Sequence, residues 1–586
     1  MVQERWCASL ALACGAATAM GQCEPPQRVF PPVLDAATLD GVSGFQIRYA
    51  ADLQFYANPV AGVGDINGDG MADFALGWPR GQRDGRLGVG VTHVVFGRSD
   101  GGFGSMLELD RLEAGEGVRF IGVDAGEGSG SAIALGGDMN SDGLGDLLIG
   151  ADNARPGGVV GAGRSYVVFG RAPEPWPLQF ELSELVPDTG FSVVGGFLDG
   201  SGAAIASAGD IDGDGFDDLA VGAPLGSLAT GSAYIVFGRE DPWPAASVDL
   251  AELPTDVAMR FYGFGQSEHA GRALALLGDT NGDGLQDLAI GASPTTGGSA
   301  SSITKVHVVF GQRQRSVFQR VQPLADLDVG EIVTLTSPET RSLHGVAVGS
   351  AGDVNADGAP DVVVGAPLFG RGGRASVLYG RPPGSPRFPK QRSAFPDGNE
   401  VVAFDGPFQS RAGQAVTGVG DFNGDGIDDF AIGARAAAPL GRRFAGAVYV
   451  VFGRDPSEGL AFPPVTNLAD LNGRDGFVIA GDPEGWYAGA SVAGIGDVNG
   501  DGVDDLLIGS DRLSSTDPRT GISYVVFGRR FCQADFDLDG QWTIADFLAF
   551  QSAFDAGDPA VDLDCDGSLS LFDFLAYVNA FLAGCP

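Results

Sequence analysis

The chain has 586 residues, of which 44% are hydrophobic and 94 are glycine, a composition that indicates turn-rich globular structure and excludes a disordered chain. Its 75 acidic and 36 basic residues give a net charge of −39, which makes nucleic acid and anionic membrane surfaces poor partners. We therefore expect a large β protein whose partner is cationic.

Residues 1–22 have the pattern of a secretory signal peptide. An apolar run from Trp6 to Ala19 follows one early basic residue, and Ala17-Thr18-Ala19 suits signal peptidase. No later apolar run is long enough to span a bilayer, so we expect a secreted or cell-surface protein. Removal of the leader would leave four cysteines in a compartment where disulfides persist: Cys23, Cys532, Cys565 and Cys585.

An acidic motif recurs along almost the whole chain, at intervals of 68 to 76 residues. An apolar segment and a turn of small residues follow each copy, and a β-rich run then ends on an aromatic–glycine pair such as Phe96-Gly97 or Tyr379-Gly380. Seven units result. Their motifs begin at Asp65, Asp138, Asp210, Asp279, Asp353, Asp421 and Asp497.

Each unit supplies about four short strands, which are rich in β-branched and aromatic residues. They are the segment before the acidic motif, the segment after it, the run that ends on the aromatic–glycine pair, and a segment such as GFVIAG at 476–481. Units of this kind predict a seven-bladed β-propeller over residues 30–530. A linear solenoid is the alternative, but seven is a common closing number and no repeat looks like a cap.

The motif has the form D-x-[ND]-x-D-G-x-x-D, with side-chain oxygens at positions 1, 3, 5 and 9 and glycine at position 6. Glycine allows the chain to curl, and an all-oxygen donor set suits calcium. Polar Asp-Gly hairpin turns without an ion are the alternative, and acid/base catalysis is disfavoured because ion-bound carboxylates are poor acids. The predicted ligands are Asp65, Asn67, Asp69, Asp73, Asp138, Asn140, Asp142, Asp146, Asp210, Asp212, Asp214, Asp218, Asp279, Asn281, Asp283, Asp287, Asp353, Asn355, Asp357, Asp361, Asp421, Asn423, Asp425, Asp429, Asp497, Asn499, Asp501 and Asp505.

The acidic loop, the VGAP turns at 221–224 and 364–367 and the Phe-Gly pairs together resemble the FG-GAP repeat of integrin alpha-subunit propellers. This resemblance implies that the acidic loops join the first and second strands at the bottom face, and that ligands bind at the opposite face. The fifth loop departs from the pattern with Ala356 at position 4 and Pro360 before its last ligand.

Five residues lie about ten positions ahead of an acidic loop, just before the inner strand. In an integrin-like arrangement they would approach the upper rim, where aromatic and arginine side chains commonly anchor partners. Ordinary loop packing is the alternative. The residues are Tyr56, His269, His344, Arg411 and Tyr487.

Residues 531–586 form a separate module of two loop–helix units with oxygen donors at positions 1, 3, 5 and 12 of EF-hand-like loops. We expect two further calcium ions here, in addition to about seven in the propeller. The candidate ligands are Asp535, Asp537, Asp539, Gln541, Asp546, Asp562, Asp564, Asp566, Ser568 and Asp573, with Gln541 and Ser568 donating backbone carbonyls.

Aspartate at position 12 and the Gly-Cys-Pro ending make this module resemble bacterial dockerins, which implies a cohesin-like partner. Positions 10 and 11, Ile544-Ala545 and Leu571-Phe572, depart from the Ser/Thr pattern of cellulosome dockerins. Cys532 and Cys585 bracket the module and are expected to pair. Cys565 either pairs with Cys23 or is a free thiol.

The sequence therefore predicts a secreted calcium-binding recognition or adhesion protein. Its propeller would display a face that binds an extracellular protein or glycan, and its C-terminal module would dock to an extracellular partner. A dockerin-tethered polysaccharide-active hydrolase or lyase is one alternative, and a purely structural cell-surface component is another. Catalytic triads and phosphate-binding loops have no local signature here.

Overall fold

The computed structural model describes residues 30–48, 59–172, 176–226, 230–240, 243, 246–252, 257–263, 268–293, 304–313, 320–337, 339, 342–394, 396–511, 522–530, 536, 543–556, 561 and 569–583. The chain divides into two compact units, of which one is Phe30–Arg530 and the other contains two C-terminal helices. The predicted leader 1–22, the four candidate disulfide cysteines and Tyr56 lie outside the described residues.

The larger unit consists of seven five-stranded sheets, which we call blades 1 to 7 and whose strands we number in order across the sheet. The first four strands are antiparallel to their neighbours, and the short fifth strand is parallel to the fourth. The strands are, in blade 1, Val60–Gly64, Asp73–Trp78, Val91–Val95, Gly117–Ile121 and Gln179–Glu181; in blade 2, Ala132–Leu135, Leu147–Ala151, Arg164–Val168, Gly190–Val194 and Ser247–Asp249; in blade 3, Ala204–Gly209, Asp218–Ala223, Ser232–Val236, Ala258–Tyr262 and Val321–Pro323; in blade 4, Ala270–Gly278, Asp287–Ala292, Lys305–Val309, Ile332–Thr336 and Gln391–Ser393; in blade 5, Ala347–Gly352, Asp361–Ala366, Arg374–Leu378, Val401–Asp405 and Val465–Asn467; in blade 6, Ala415–Gly420, Asp429–Ala434, Ala447–Val451, Gly476–Ala480 and Val33–Asp35; in blade 7, Ala488–Gly496, Asp505–Ser510, Ile522–Val526, Gly44–Arg48 and Met106–Glu108.

The first strands form a closed ring. Each contacts the first strands of both neighbouring blades, and the first strand of blade 7 contacts that of blade 1. The approach requires glycine, because a Cβ atom on Gly62 would lie 2.6 Å from the carbonyl oxygen of Gly494, and one on Gly494 would lie 2.6 Å from that of Gly418. The prediction of a seven-bladed propeller is confirmed, and the linear solenoid is wrong.

The hydrophobic cores lie between neighbouring blades. In one of them Phe45 and Leu507 of blade 7 pack with Phe74 and Leu76 of blade 1. The second strand of a blade is covered on both faces, and every residue of strands such as Asp361–Ala366 is buried. This explains the continuous apolar runs after the acidic motifs, since a strand that is buried on both faces does not alternate.

The N-terminal segment closes the ring. Gly44–Arg48 pairs with Ile522–Val526 as the fourth strand of blade 7, and Val33–Asp35 pairs with Gly476–Ala480 as the fifth strand of blade 6. The ring of Phe45 stacks on that of Phe103, with centroids 4.6 Å apart. The two chain ends of the propeller are therefore held in the same blade by strand pairing and aromatic packing.

Each blade has one strand more than the four that the sequence predicts. The fifth strands are three residues long, and in six blades they come from the connection that follows the third strand of the next blade, as with Val465–Asn467 in blade 5, whereas in blade 6 the N-terminal Val33–Asp35 takes this place. A short segment without alternation carries no strand signal. Single turns of 3-10 helix follow several of these strands, at Ala36–Thr38, Leu109–Arg111, Leu182–Glu184, Leu324–Asp326 and Leu468–Asp470.

An arginine that follows the aromatic–glycine pair anchors this connection in six repeats. Its guanidinium lies over an aromatic ring just ahead of the fifth strand, at 3.9 Å for Arg171 and Trp176 and at 4.2 Å for Arg381 and Phe388. The other pairs are Arg98 with Phe103, Arg239 with Trp243, Arg454 with Phe462 and Arg529 with Phe30. Gln312 holds this position in the remaining repeat.

The C-terminal unit contains helices Ile544–Ala556 and Leu571–Ala583. Thr543 begins the first helix as an N-cap, because its Oγ1 accepts from the Ala545 amide while Asp546 accepts from the Thr543 amide. The rings of Phe550 and Tyr577 stack 3.9 Å apart and pack the two helices together. Among the described helices, none has both the length and the apolar character needed to cross a membrane.

Candidate functional site

The seven acidic loops, residues 1–9 of each D-x-[ND]-x-D-G-x-x-D motif, occupy equivalent places. Each connects the first strand of its blade to the second, as between Val60–Gly64 and Asp73–Trp78. Because the topology repeats in every blade, all seven lie at one end of the ring. The resemblance to FG-GAP repeats implies this placement.

The aspartate at position 1 organises the loop. In blade 1 the two Asp65 carboxylate oxygens accept from the amides of Asp69 and Gly70, at 3.1 and 2.8 Å. The same two bonds recur in the other six loops. Gly70 has φ +89°, a left-handed conformation that glycine adopts without strain, so position 6 sets the curl of the loop.

The aspartate at position 9 is fully buried in all seven loops. In blade 1 the Asp73 carboxylate accepts from the Ile66 amide at 3.0 Å and from the amide of Gly97, the glycine of the Phe-Gly pair, at 2.9 Å. The equivalent pairs of bonds recur in every blade. The Phe-Gly pair and the acidic loop are therefore parts of one structural unit.

Negative charge accumulates in these loops. Burial raises the pKa of Asp73 to about 8, and the charges of Asp69 and Asp65 add to this shift while the two amide bonds oppose it. Burial likewise raises the pKa values of Asp146 and Asp505 to about 8. A buried carboxylate that is held among other carboxylates favours a cation beside it.

Further carboxylates, which the motif does not include, link neighbouring loops. The position-8 residue Asp217 accepts from the backbone amide of Asp138 in the preceding loop at 2.8 Å, and Asp428 accepts from that of Asp353 at the same distance. Burial raises the pKa of Asp217, and the charges of Asp138 and Asp210 raise it further. The doubled aspartate that ends some motifs is the sequence signal for this contact.

The loops fit a hard divalent cation. In blade 3, Asp210, Asp212 and Asp218 each offer an oxygen, and these three oxygens lie within 4.8 Å of one another. In blade 4, Asn281 Oδ1 is buried and has no hydrogen-bond partner among the described residues, while its Nδ2 donates to Asp283. In the other six loops the position-3 oxygen accepts from the position-5 amide, as Asn67 Oδ1 does from Asp69 at 2.9 Å, and its second lone pair still suits a cation.

The fifth loop keeps this geometry despite its two departures from the pattern. Ala356 adopts φ +55°, as Ser141 does at φ +58° at the same position of the second loop. Pro360 leaves the two bonds of Asp361 intact, from Val354 at 3.1 Å and Gly380 at 2.7 Å. Position 4 therefore tolerates a Cβ atom, whereas position 6 is glycine in every loop.

In the C-terminal unit only two of the candidate ligands are described. Asp546 and Asp573, both buried, accept from the amides of Thr543 and Ser570 at 2.7 and 2.8 Å, so each completes the N-terminal cap of its helix from the first turn. Capping uses one carboxylate oxygen and leaves the role in an ion site untested. The other candidates lie outside the described residues, at Asp535, Asp537, Asp539, Gln541, Asp562, Asp564, Asp566 and Ser568.

Four of the five rim candidates are described, and the structure divides them into two pairs. His269 is buried with Nδ1 2.9 Å from the Pro224 carbonyl oxygen, and His344 is buried with no hydrogen-bond partner for its ring among the described residues. Burial lowers the pKa of His344 to about 4. Arg411 and Tyr487, in contrast, line a cavity of about 420 Å³.

This cavity lies at the end of the ring opposite to the acidic loops. Its walls come from the connections between second and third strands and from the connections between blades. The acidic loops join first and second strands, so both kinds of wall segment lie at the other end of the sheets. It extends over blades 5 and 6 and reaches the entry to blade 7. The lining residues are Pro367, Leu368, Gly370, Arg371, Gln409, Arg411, Arg435, Ala436, Phe444 and Tyr487.

Comparisons with known proteins agree with this architecture. The FG-GAP repeat family matches residues 129–168, 201–236, 270–304, 345–378, 412–451 and 488–526. Each matched segment begins near a first strand and contains the acidic loop of its blade. The chain therefore contains FG-GAP repeats, and the resemblance drawn from the motifs is confirmed for the propeller.

Two groups of relatives share these repeats. Integrin alpha-5 of Xenopus laevis is 32% identical over 264 residues, which cover 42% of this chain and 21% of that protein. Phosphatidylinositol-glycan-specific phospholipase D of Bos taurus is 34% identical over 178 residues, which cover 30% of this chain and 19% of that protein. The chain thus spans about a fifth of the length of these relatives, and its propeller is homologous to that part of them.

A solved structure also aligns with the chain, that of a mutant of AofleA from Arthrobotrys oligospora in which arginines are replaced by alanine. The alignment has 11% identity and covers 72% of this chain and 92% of that one. Its TM-score is 0.33.

Proposed function

We propose that this FG-GAP repeat propeller is a secreted, calcium-stabilised recognition protein that binds an extracellular protein or glycan. One observation carries the proposal: the acidic loops and the arginine- and aromatic-lined cavity lie at opposite ends of the same strands. Calcium at one end would fix the blades, and the other end would present a preformed binding surface. The function needs no chemistry from the loops themselves.

About seven calcium ions would be held by the side chains at positions 1, 3, 5 and 9 of the loops. The support is the oxygen-only donor set, the buried position-9 carboxylates with raised pKa values, and the orphaned Oδ1 of Asn281. When bound, the ion would neutralise charges that otherwise repel one another. Two further ions are proposed for the C-terminal module, where Asp546 and Asp573 would contribute.

Recognition is favoured over catalysis by what lines the cavity. Its described walls carry arginine, aromatic and small side chains, and no carboxylate or imidazole that could transfer a proton. All four histidines of the chain are buried, at His93, His269, His307 and His344. The phospholipase among the relatives is an enzyme by its name, but the homologous part is 19% of that protein.

The C-terminal module would dock the propeller to another extracellular protein. Its two helices expose apolar side chains at equivalent positions, Ile544 and Leu571 at 67% and 68%, followed one turn later by Leu548 and Leu575. The same exposed apolar pair therefore occurs once in each of the two sequence units. Exposed apolar pairs of this kind suit a protein partner. A cohesin-like partner is one such protein.

Secretion is proposed from the N-terminal pattern. Protein recovered from the medium of the expressing cell should begin after residue 22, as mass spectrometry of its N-terminal peptide would show. Recovery from the cell interior with the first 22 residues intact contradicts this part of the proposal.

Crystals soaked in a terbium salt, collected at an anomalous wavelength, test the metal sites directly. We expect peaks in all seven acidic loops, and no peak in any loop overturns the calcium proposal. Binding of the full chain to a glycan array and to extracellular-matrix proteins, in calcium and in chelator, tests recognition. A ligand that is retained in calcium supports the function, and a chain that binds neither glycan nor protein under any condition contradicts it.

A further inference from the structure

We propose that the cavity over blades 5 and 6 binds an anionic sugar unit, one that carries a carboxylate or a sulfate group. The inference rests on the proposed recognition function and names the ligand class of that site. It is drawn from the charge, the aromatic surface and the rigidity of the cavity.

The cavity concentrates positive charge in an acidic protein. Arg371, Arg411 and Arg435 line it, although the chain as a whole has a net charge of −39. Arg371 and Arg411 are exposed, and in the part of the chain that the structure describes neither has an ion-pair partner. Two unneutralised guanidinium groups at one cavity favour an anion, and their planar forks match a carboxylate or a sulfate.

The third arginine, Arg435, already has two partners within the protein. Arg435 lies 3.4 Å from the Asp511 carboxylate and over the ring of Tyr487, with its guanidinium carbon 5.3 Å from the ring centroid. It therefore orients the tyrosine and leaves Arg371 and Arg411 as the anion-binding pair. The nearby carboxylates are those of Asp511 and of Glu339, which accepts from the Gly370 amide at 3.3 Å, and neither residue is among those that line the cavity.

An aromatic wall stands beside the arginines. The rings of Phe444 and Tyr487 stack with centroids 5.6 Å apart and an interplanar angle of 25°. Phe444 is 42% exposed, and Leu368, which also lines the cavity, is exposed to a similar degree. Aromatic faces of this kind pack against the C–H face of a sugar ring, while the guanidinium groups bind its charged substituent.

The backbone of the cavity walls is held in an unfavourable conformation. Gln409, Arg411, Phe444 and Tyr487 all have positive φ values, between 55° and 63°, which non-glycine residues seldom adopt. Backbone bonds hold them there: the Gln409 amide donates to the Arg371 carbonyl at 2.7 Å, and the Tyr487 amide donates to the Phe444 carbonyl at 3.0 Å. The same conformation occurs outside the cavity at His269, with φ +53°, so the repeated fold imposes it and fixes these side chains before any ligand binds.

The shape of the site favours a sugar unit over an acidic peptide. Peptides commonly bind by adding a strand to a free sheet edge or by laying a helix into a long apolar groove. The described walls consist of connections between strands, and they enclose about 420 Å³. A compact ring with one charged group fits such a cavity better than an extended chain does.

Binding of defined probes to the full chain tests the proposal, in calcium-containing buffer of physiological ionic strength. The probes are trigalacturonate for the carboxylate, a sulfated heparin disaccharide for the sulfate, neutral galactotriose, and a short polyglutamate peptide. We expect one or both of the anionic sugars to bind in calorimetry and the neutral trisaccharide not to bind. The arm that binds identifies which anionic group is recognised.

Substitutions of cavity residues test whether the anionic sugars bind at this site. Arg411→Gln should weaken binding about tenfold or more, because it removes a charge-assisted hydrogen bond. Arg155→Gln is the control, since Arg155 is an exposed arginine at the same end of the ring, in the connection between the second and third strands of blade 2 and outside the cavity. Phe444→Ser should also weaken binding, and circular dichroism and melting temperature must match the wild type in all three variants.

Three results overturn the inference. They are an absence of binding by both anionic sugars, equal losses for Arg411→Gln and Arg155→Gln, and binding of polyglutamate alone. If another ligand is retained on the arrays in any of these cases, the recognition function stands and only the ligand class fails. If no probe and no array ligand binds, both proposals fail together.

Discussion

The backbone amide of Gly453 donates to the buried carboxylate of Asp429 at 2.8 Å, across 24 residues of chain. The other carboxylate oxygen accepts from Phe422 at 3.1 Å. The glycine of the aromatic–glycine pair thus meets the last acidic position of the loop in the interior of the blade. The two motifs that recur along the sequence are two halves of one contact.

Removal of calcium should lower the melting temperature of the propeller. A ligand at a hundred times its Kd stabilises the folded state by about 2.7 kcal/mol per site, and seven sites act together. We expect the melting temperature in chelator to fall by more than about 10 °C, measured by differential scanning calorimetry. Magnesium at the same concentration should restore less of it, because it demands stricter geometry. Identical melting curves in calcium and chelator would contradict the metal sites.

Asp429→Asn should destabilise the protein more in calcium than in chelator. In chelator the amide loses one of two backbone bonds, at a cost of about 1–3 kcal/mol, but relief of repulsion from Asp421 and Asp425 offsets part of that cost. In calcium the variant also loses a charged ligand. Urea denaturation under both conditions checks the difference, with Asp188→Asn at an exposed position as the control. Equal losses in the two buffers would mean that Asp429 has only a hydrogen-bonding role.

Arg171→Gln should lower stability by about 0.5–2 kcal/mol, because the guanidinium 3.9 Å over the Trp176 ring is lost. Glutamine is the residue that the fourth repeat already carries at Gln312, so the substitution is compatible with the fold. Thermal unfolding of this variant beside Arg155→Gln, an exposed arginine, provides the comparison. Matching curves for the two variants would show that the stacked arginine contributes nothing.

Phe45→Ala should destabilise the protein by about 3–5 kcal/mol, since the side chain is fully buried where the N-terminal strand closes blade 7. Limited proteolysis should then cut blade 7 first, because its fourth strand is the one that the variant loosens. Met106→Ala, on the exposed side of the fifth strand of the same blade, should cost much less. A small effect of Phe45→Ala would show that the ring stays closed without this anchor.

In His344→Leu the free energy of unfolding should fall less steeply at acidic pH than in the wild type. Burial lowers the folded pKa of His344 to about 4, below the unfolded value near 6.5, so the unfolded chain takes up the proton first. Above pH 6.5 the neutral, buried His344 makes its full contribution to the free energy of unfolding. About 3 kcal/mol of this free energy is lost as the pH falls towards 4. Urea denaturation of both proteins across this range checks it, since the acidic loops titrate alike in the two. Parallel curves would contradict the burial of a neutral ring.

The local features of the fold could be predicted because short-range chemistry fixes them. The alternation of oxygen donors with glycine in the loop, and the apolar run after it, specify a turn and a doubly buried strand wherever they occur. The arginine after the Phe-Gly pair was an equally local signal: six repeats carry it, but its ring partner lies several residues away, at Trp176 for Arg171, and only packing identifies it.

The cavity residues could be identified only in part. Their place before an inner strand predicts Arg411 and Tyr487 as rim residues, yet His269 and His344 at the same sequence position are buried in their blades. The difference lies in the neighbours, since Arg371 and Phe444 come from the connections of two separate blades. These connections occupy equivalent places in consecutive repeats, but the repeat pattern does not specify which of their side chains meet.

The sequence by itself determined the number of blades, the acidic loops and the strands that flank them, because each repeat encodes its own hairpins through turn residues and apolar runs. Only the tertiary structure decided that residues 33–48 complete the last two blades, that a fifth strand joins each sheet, and which rim residues meet around one cavity. These features come from contacts between segments far apart in the chain. Their free energy arises from burial and strand pairing, which no local pattern of residues records.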